Sequence, residues 1–302
     1  MPTKWCTIAP LAYWGFLDVP FSLANSVILS SMPNWVREEE IKKNVGMAGS
    51  EVLEDGQYAL VREYEADSLG EPDPEWHKKP PRSKQSTAHE AIQLADFALW
   101  LAKPSSIGFK LIIHADEQTG TWRWRHLGRS NQLLPHAKDE ASLIEKGELD
   151  LAHKLHSALL NLPRDGAVWI AVRTLWQGLT QEEWTVRYLL LWIVLEALYG
   201  TTDTRETTYR LAQRLAFFLS KDRVRAQTLF QDAKAGYTWR SRVVHGMRLR
   251  KLSPEKSSEL MYKTERFARE SLLKILMSAD LIKTFSGSER EILLDSLVYS
   301  AK

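Results

Sequence analysis

The segment QEEWTVRYLLLWIVLEALYG, residues 181–200, constrains this chain more than any other. After Tyr188 it is apolar nearly all round, and an α-helix without a polar face has to be surrounded by protein. The reading is a helix buried at the centre of a bundle. Glu182 and Glu183 fall in its first turn, where the helix dipole favours carboxylates, and Gly200 ends it.

The neighbouring sequence supplies the other helices of such a bundle. From about residue 147 the helical period runs almost unbroken through 149–162, which Pro163 stops, then 165–179, 207–220, 222–234, 254–285 and 288–301. No internal repeat of fixed period is visible. Residues 1–146 read differently. QYALVREYEA (57–66) alternates like a strand, with Tyr58, Leu60, Arg62 and Tyr64 facing away from Ala59, Val61, Glu63 and Glu65. The polar, Pro-rich residues 67–86 read as a loop. A helix capped by Ser86 or Thr87 then runs to about Lys103, before Pro104. Residues 108–128 read as a hairpin turning at 116–120, with Trp122 and Trp124 on one face and Arg123 and Arg125 on the other. That alternation suits base stacking on a basic face. It suits an ordinary half-buried strand better. The expected fold class is therefore α+β: a mixed α/β, β-rich N-terminal domain over 1–146, then an all-α helical bundle over 147–302.

Composition narrows the function. The chain has 302 residues, 44% hydrophobic and 26% charged, as a soluble globular protein has. No apolar run reaches the roughly 18 residues of a membrane span. The apolar N-terminal stretch is interrupted by Pro10, Asp18 and Pro20 and lacks a small-residue cleavage site, which reads as core and not as a signal peptide. One cysteine, Cys6, excludes an intramolecular disulfide framework and fits a reducing cytoplasm. No Cys/His cluster has zinc spacing and no Gly-rich phosphate loop appears, so neither metal nor cofactor is expected. Net charge is +2, split unevenly. Residues 1–150 carry 16 Lys+Arg and 22 Asp+Glu, or −6; residues 151–302 carry 24 and 16, or +8. A basic second half points to a polyanion, or simply to solvated helix faces.

The stretch YTWRSRVVHG (237–246) is where chemistry is concentrated. On a helix over 237–247, Arg240, Val243, Val244 and Met247 form one stripe, which sets a permanent charge in an apolar face. A guanidinium cannot shed its charge, so it needs an acidic partner, a phosphate or a wet seam. His245 lies about 140° round the helix from Arg240. The two side chains do not converge within one protomer, but two copies facing across a two-fold axis would place two Arg and two His around one cleft. Two plainer readings stand beside this: a buried ion pair for Arg240, with Glu196 a candidate partner, and a helix C-terminal position for His245 beside Gly246.

WIVLEALYG (192–200), YRLAQRLAFFL (209–219) and YTWRSRVVHG, in this order and spacing, resemble successive signatures of the HEPN superfamily, in its Apea-like branch. The resemblance covers about residues 150–285. It implies a metal-independent endoribonuclease that dimerises through the motif helices and cuts RNA in the composite cleft, leaving a 2′,3′-cyclic phosphate and a 5′-hydroxyl. It implies roles for His245 in proton transfer and for Arg240 on the scissile phosphate. Ser241 takes the polar position after the arginine, where Asn, Asp or His is more usual. Glu196 and Arg214 fall on family positions and read as a buried acid–base pair tying two helices, with Glu196 able to orient Arg240. Arg242, Arg248 and Arg250 would track the RNA backbone. The N-terminal domain would sense or restrain, for an unknown ligand, and the setting would be phage defence or toxin-type cleavage in the cytoplasm. The alternative is a non-catalytic HEPN module that binds nucleotide or RNA or serves as a dimerising adaptor.

Overall fold

A computed structural model describes residues 3–11, 15–16, 18–66, 84–104, 108–109, 111–116, 122–126, 143–201, 207–246 and 252–299. The chain divides into two compact units, Met1–Asn161 and Leu162–Lys302.

The first unit is built on a six-stranded sheet of order β3-β4-β5-β1-β6-β7. Its strands are β1 (Thr3–Leu11), β3 (Phe21–Ser22), β4 (Val27–Ser31), β5 (Tyr58–Ala66), β6 (Leu111–Asp116) and β7 (Trp122–His126). Every neighbouring pair is antiparallel. The apolar N-terminal run is thus the central strand β1, hydrogen-bonded to β5 on one side and β6 on the other. A separate parallel pair joins β2 (Gly15–Phe16) to β8 (Leu143–Ile144).

Strand alternation gives the sheet two unlike faces. On one, Cys6, Ile8, Ala59, Leu111, Ile113 and Ala115 pack with Ile41, Val45 and Leu53 of α1 (Glu39–Asp55). On the other, Trp5, Thr7, Leu60, Arg62, Tyr64, His114 and Asp116 share a face by register. That face lies against α2 (Lys84–Ala102), which is buried from Ala91 to Leu101 apart from Gln93. The strand expected at 57–66 and the helix expected to 103 are both present, as is the pairing of the expected hairpin; its turn lies outside the described residues.

The boundary between units differs from the expected 146/147. Helix α3 (Lys146–Leu160) buries Leu149, Ala152, Leu155, His156 and Leu159 and packs on α2, so it belongs to the first unit. Its helical period shows that it is a helix and cannot show which neighbour its apolar stripe meets.

Among the described residues the second unit holds only helices: α4 (Ala167–Leu179), α5 (Trp184–Tyr199), α6 (Thr207–Leu219), α7 (Arg223–Val244), α8 (Pro254–Leu276), α9 (Ala279–Ser286) and α10 (Arg290–Tyr299). The segments read separately at 222–234 and 237–247 are one helix, α7, since nothing between them breaks the ladder. The segment 254–285 is two helices, because α8 ends at Leu276 and Ser278 caps α9 through Leu281 N–H. Asp222 caps α7, and Ser253 before Pro254 caps α8.

Helix α5 is the segment apolar all round, and it departs from the central position expected of it. Tyr188, Leu191, Trp192, Val194, Leu195, Leu198 and Tyr199 are buried. Val186 and Ile193, however, are 43% and 41% exposed, with Leu189, Leu190 and Ala197 half-buried between and beyond them. One apolar stripe of α5 therefore faces outward within the single chain.

Candidate functional site

The C-terminal half of α7 carries the motif, and its position is set by a close approach to α5. Gly236 meets Trp192 so tightly that a Cβ there would lie 2.7 Å from Trp192 Cζ2, and its carbonyl accepts the Tyr188 hydroxyl at 2.8 Å. The rings continue the contact: Tyr188 meets Trp192 edge-on, and Trp192 meets Tyr237 at 90° and 5.3 Å. One turn further along, Arg240 faces Glu196.

Arg240 Nη2 donates to Glu196 Oε2 at 3.1 Å and stands 2.9 Å from Oε1. Its guanidinium carbon lies 5.4 Å from the centre of the Tyr237 ring. Arg240 and Glu196 are each about one-quarter exposed, so the pair is half-buried and reachable. Arg240 Nε is buried and donates to nothing among the described residues. The Tyr237 phenol is pushed up by its burial and by the Glu196 carboxylate.

His245 is the C-cap of α7; its N–H donates to Ser241 O at 3.1 Å and its side chain is exposed. Gly246 follows with φ +62°, the left-handed turn that ends many helices. Ser241 is half-buried, and Arg242 is exposed with its guanidinium 4.5 Å over the Trp239 ring. Within the chain Arg240 turns towards α5 while His245 stands at the helix end, so the two are not brought together. Met247, Arg248 and Arg250 lie outside the described residues. Val244, expected on an apolar stripe with Arg240, is 49% exposed.

Arg214 corrects one expectation: its partner is not Glu196. It is 1% exposed, and donates from Nε and Nη2 to Asp295 Oδ1 at 3.0 and 2.8 Å, and from Nη2 to Glu291 at 3.4 Å. Its Nη1 donates to the carbonyls of Tyr199 and Gly200, at 3.3 and 3.1 Å. Arg214 thus closes the C-terminal end of α5 and fastens it to α10. The family resemblance paired it with the acid on the adjacent signature; the fold supplies acids from a helix some eighty residues on. The close packing at Gly236 was equally hidden, because a glycine inside a helix carries no mark of what lies against it.

Among the described residues no three His, Cys, Asp or Glu side chains are grouped as a metal site would require, and no helix is long and apolar enough to cross a membrane. In comparison with known proteins, no family model matches the chain, and neither a curated protein nor a solved structure matches it.

Proposed function

We propose that this protein is a metal-independent endoribonuclease of the HEPN type, active as a homodimer through α7 and working in the cytoplasm in phage defence or as a toxin. The observation that carries the reading is the arrangement at the end of α7. A half-buried arginine is held by one carboxylate, with an exposed histidine five residues on at the helix terminus. Histidine is the side chain most often used for proton transfer in catalysis, and this one is exposed at the helix end. Arg240 uses Nη2 on Glu196 and keeps further donors for a phosphate oxygen.

In the reaction the ribose 2′-oxygen attacks the adjacent phosphorus and gives up its proton, and the 5′-oxygen leaves and takes one. His245 of one or both protomers carries these protons, while Arg240 stabilises the charge growing on the phosphate oxygens. Ser241 orients the imidazole or the phosphate, and Arg242, Arg248 and Arg250 follow the RNA backbone. Glu196 acts as a positioning residue through Arg240. The outward stripe of α5 and exposed Val244 of α7 supply the apolar area for the two-fold contact that joins the two copies. Purified protein should cleave single-stranded RNA in EDTA to cyclic-phosphate ends, and Arg240→Ala and His245→Ala should each stop it. Cleavage that needs added metal, or that survives His245→Ala, would sink the mechanism.

One observation favours a second reading, a non-catalytic RNA-binding or adaptor module: Glu196 already balances Arg240 in the single chain. RNA binding that Arg242→Ala weakens, without cleavage by the dimer, would select it.

A further inference from the structure

A cation without a counter-ion among the described residues lies in the first unit. Arg62 sits on β5, on the sheet face against α2, opposite Thr7 of β1 and Val27 of β4. Its Nη2 donates to Asn25 Oδ1 at 3.1 Å. Its Nε and Nη1 are shut off from solvent and donate to nothing among the described residues. The adjacent carboxylate, Glu63, points to the opposite face and pairs with Lys4 at 2.7 Å. The groups that register electrostatically with Arg62 are Tyr64 and, from α3, His156, which in turn registers His153. None is an anion at neutral pH. A half-buried guanidinium with two nitrogens shut off from solvent, and no anion beside it among the described residues, has lost hydration there without gaining a partner, which is costly.

Two further unsatisfied groups lie beside it. The Tyr64 hydroxyl is buried beside Thr7 and completes no hydrogen bond of good geometry among the described residues, while Thr7 Oγ1 bonds to His114 Nδ1 at 2.7 Å. His156 is fully buried, with Nε2 2.9 Å from Ala91 O. A carbonyl only accepts, so Nε2 carries the proton and Nδ1 is a bare lone pair with no donor among the described residues. Exposed residues border the cluster. Asn25 and Ser26 form the tight β3–β4 turn with φ of 54° and 57°, and both are exposed, as is His153, whose Nδ1 meets Ser22 O at 3.1 Å.

We propose that this is a binding site for a small phosphorylated ligand, whose phosphate sits on Arg62 with the Tyr64 hydroxyl as a further donor and whose P–OH or other hydroxyl donates to His156 Nδ1. Charge and donor count both select this chemistry. Arg62 requires an oxyanion, and His156 requires a proton donor. A hydrogen phosphate or phosphomonoester has both, whereas a carboxylate or sulfate offers acceptors alone.

The test titrates inorganic phosphate into the full chain at pH 6.5 and constant ionic strength, read by calorimetry and by thermal midpoint, with sulfate and acetate in parallel. Phosphate should bind saturably and at least tenfold more tightly than sulfate or acetate. Arg62→Gln should keep or raise the midpoint without phosphate, because it removes an uncompensated charge, and should lose the phosphate response. Asn25→Gly suits the left-handed turn and so keeps the fold; it should weaken phosphate binding severalfold by freeing Arg62 Nη2, and it decides the matter where Arg62→Gln does not fold. No saturable response to phosphate, equal responses to all three anions, or an undiminished response in either variant would overturn the proposal.

Discussion

Arg240 on α7 and Glu196 on α5 meet at 2.9 Å, half-buried, one helical turn beyond the point where Gly236 lies against Trp192. The first contact depends on the second, because α7 reaches α5 closely enough for the ion pair only where a residue has no side chain. The arginine of the motif is therefore positioned by a backbone approach as much as by its charge.

Gly236→Ala tests that dependence. Alanine favours a helix interior by about 1 kcal/mol over glycine. The added methyl would stand 2.7 Å from the Trp192 ring, and overpacking of this kind costs about 1–3 kcal/mol. The variant should be destabilised in urea unfolding despite its better helix former, and its RNA cleavage should fall as Arg240 shifts from Glu196. A stabilised variant would mean that the two helices are not tightly apposed.

Glu196→Gln separates positioning from stability. A partly exposed ion pair contributes about 1 kcal/mol or less, so the thermal midpoint should move little. Cleavage should drop by at least tenfold, with the loss mainly in kcat if Arg240 acts on the transition state. Equal activity in variant and wild type would leave Glu196 no part in the site.

Arg214→Ala should behave in the opposite way. It would strip the buried partner from Asp295 and Glu291 and from the carbonyls of Tyr199 and Gly200. The two acids left behind are partly exposed, so the cost comes mainly from the unpaired carbonyls, about 1–3 kcal/mol each. Denaturant unfolding of the helical unit should reveal a loss of that size, and a loss below about 1 kcal/mol would contradict the buried arrangement.

Ile193→Asp and Val244→Asp test the outward apolar stripe. Both side chains are more than 40% exposed in the single chain, so a charge there should leave the fold intact. Sedimentation should show a dimer for the wild type and a monomer for each variant, with cleavage lost alongside. A wild-type monomer at micromolar concentration would remove the composite cleft.

His156 gives the first unit a pH dependence of defined sign. Burial, with the nearby His153 and Arg62 adding to it, pushes its imidazole down from 6.5 to about 4. The unfolded chain thus binds a proton between pH 6.5 and 4 that the folded chain refuses. The stabilising contribution is complete above 6.5 and is lost as pH falls through that window, by up to about 1.4 kcal/mol per pH unit. His156→Gln should flatten the slope in urea titrations at stepped pH; an unchanged slope would assign it to other groups.

Local pattern was enough for much of this molecule. The alternation at 57–66 announced β5 and its two faces, including the side on which Arg62 lies, because strand period is a property of the backbone. The carboxylate at the start of α5 and the stop at Gly246 were legible because helix ends are satisfied by residues a few positions away, whereas the cap expected at Ser86 or Thr87 falls inside α2, which begins at Lys84. The motif could be located, and Glu196 named as a candidate partner of Arg240, because a charge among apolar residues has to be answered by something.

Tertiary structure decided what answers it. The sequence by itself determined that the chain is α+β, that α5 is apolar on every side, and that Arg240 and His245 lie far apart around one helix. It could not place α3 in the first unit, send Arg214 to α10, or turn one stripe of α5 outward. Each of those depends on which of several apolar faces meet, and burial energy scales with area without regard to the partner's identity. Only the assembled fold resolves that choice. It leaves Arg62 half-buried with no anion among the described residues and Arg240 joined to one.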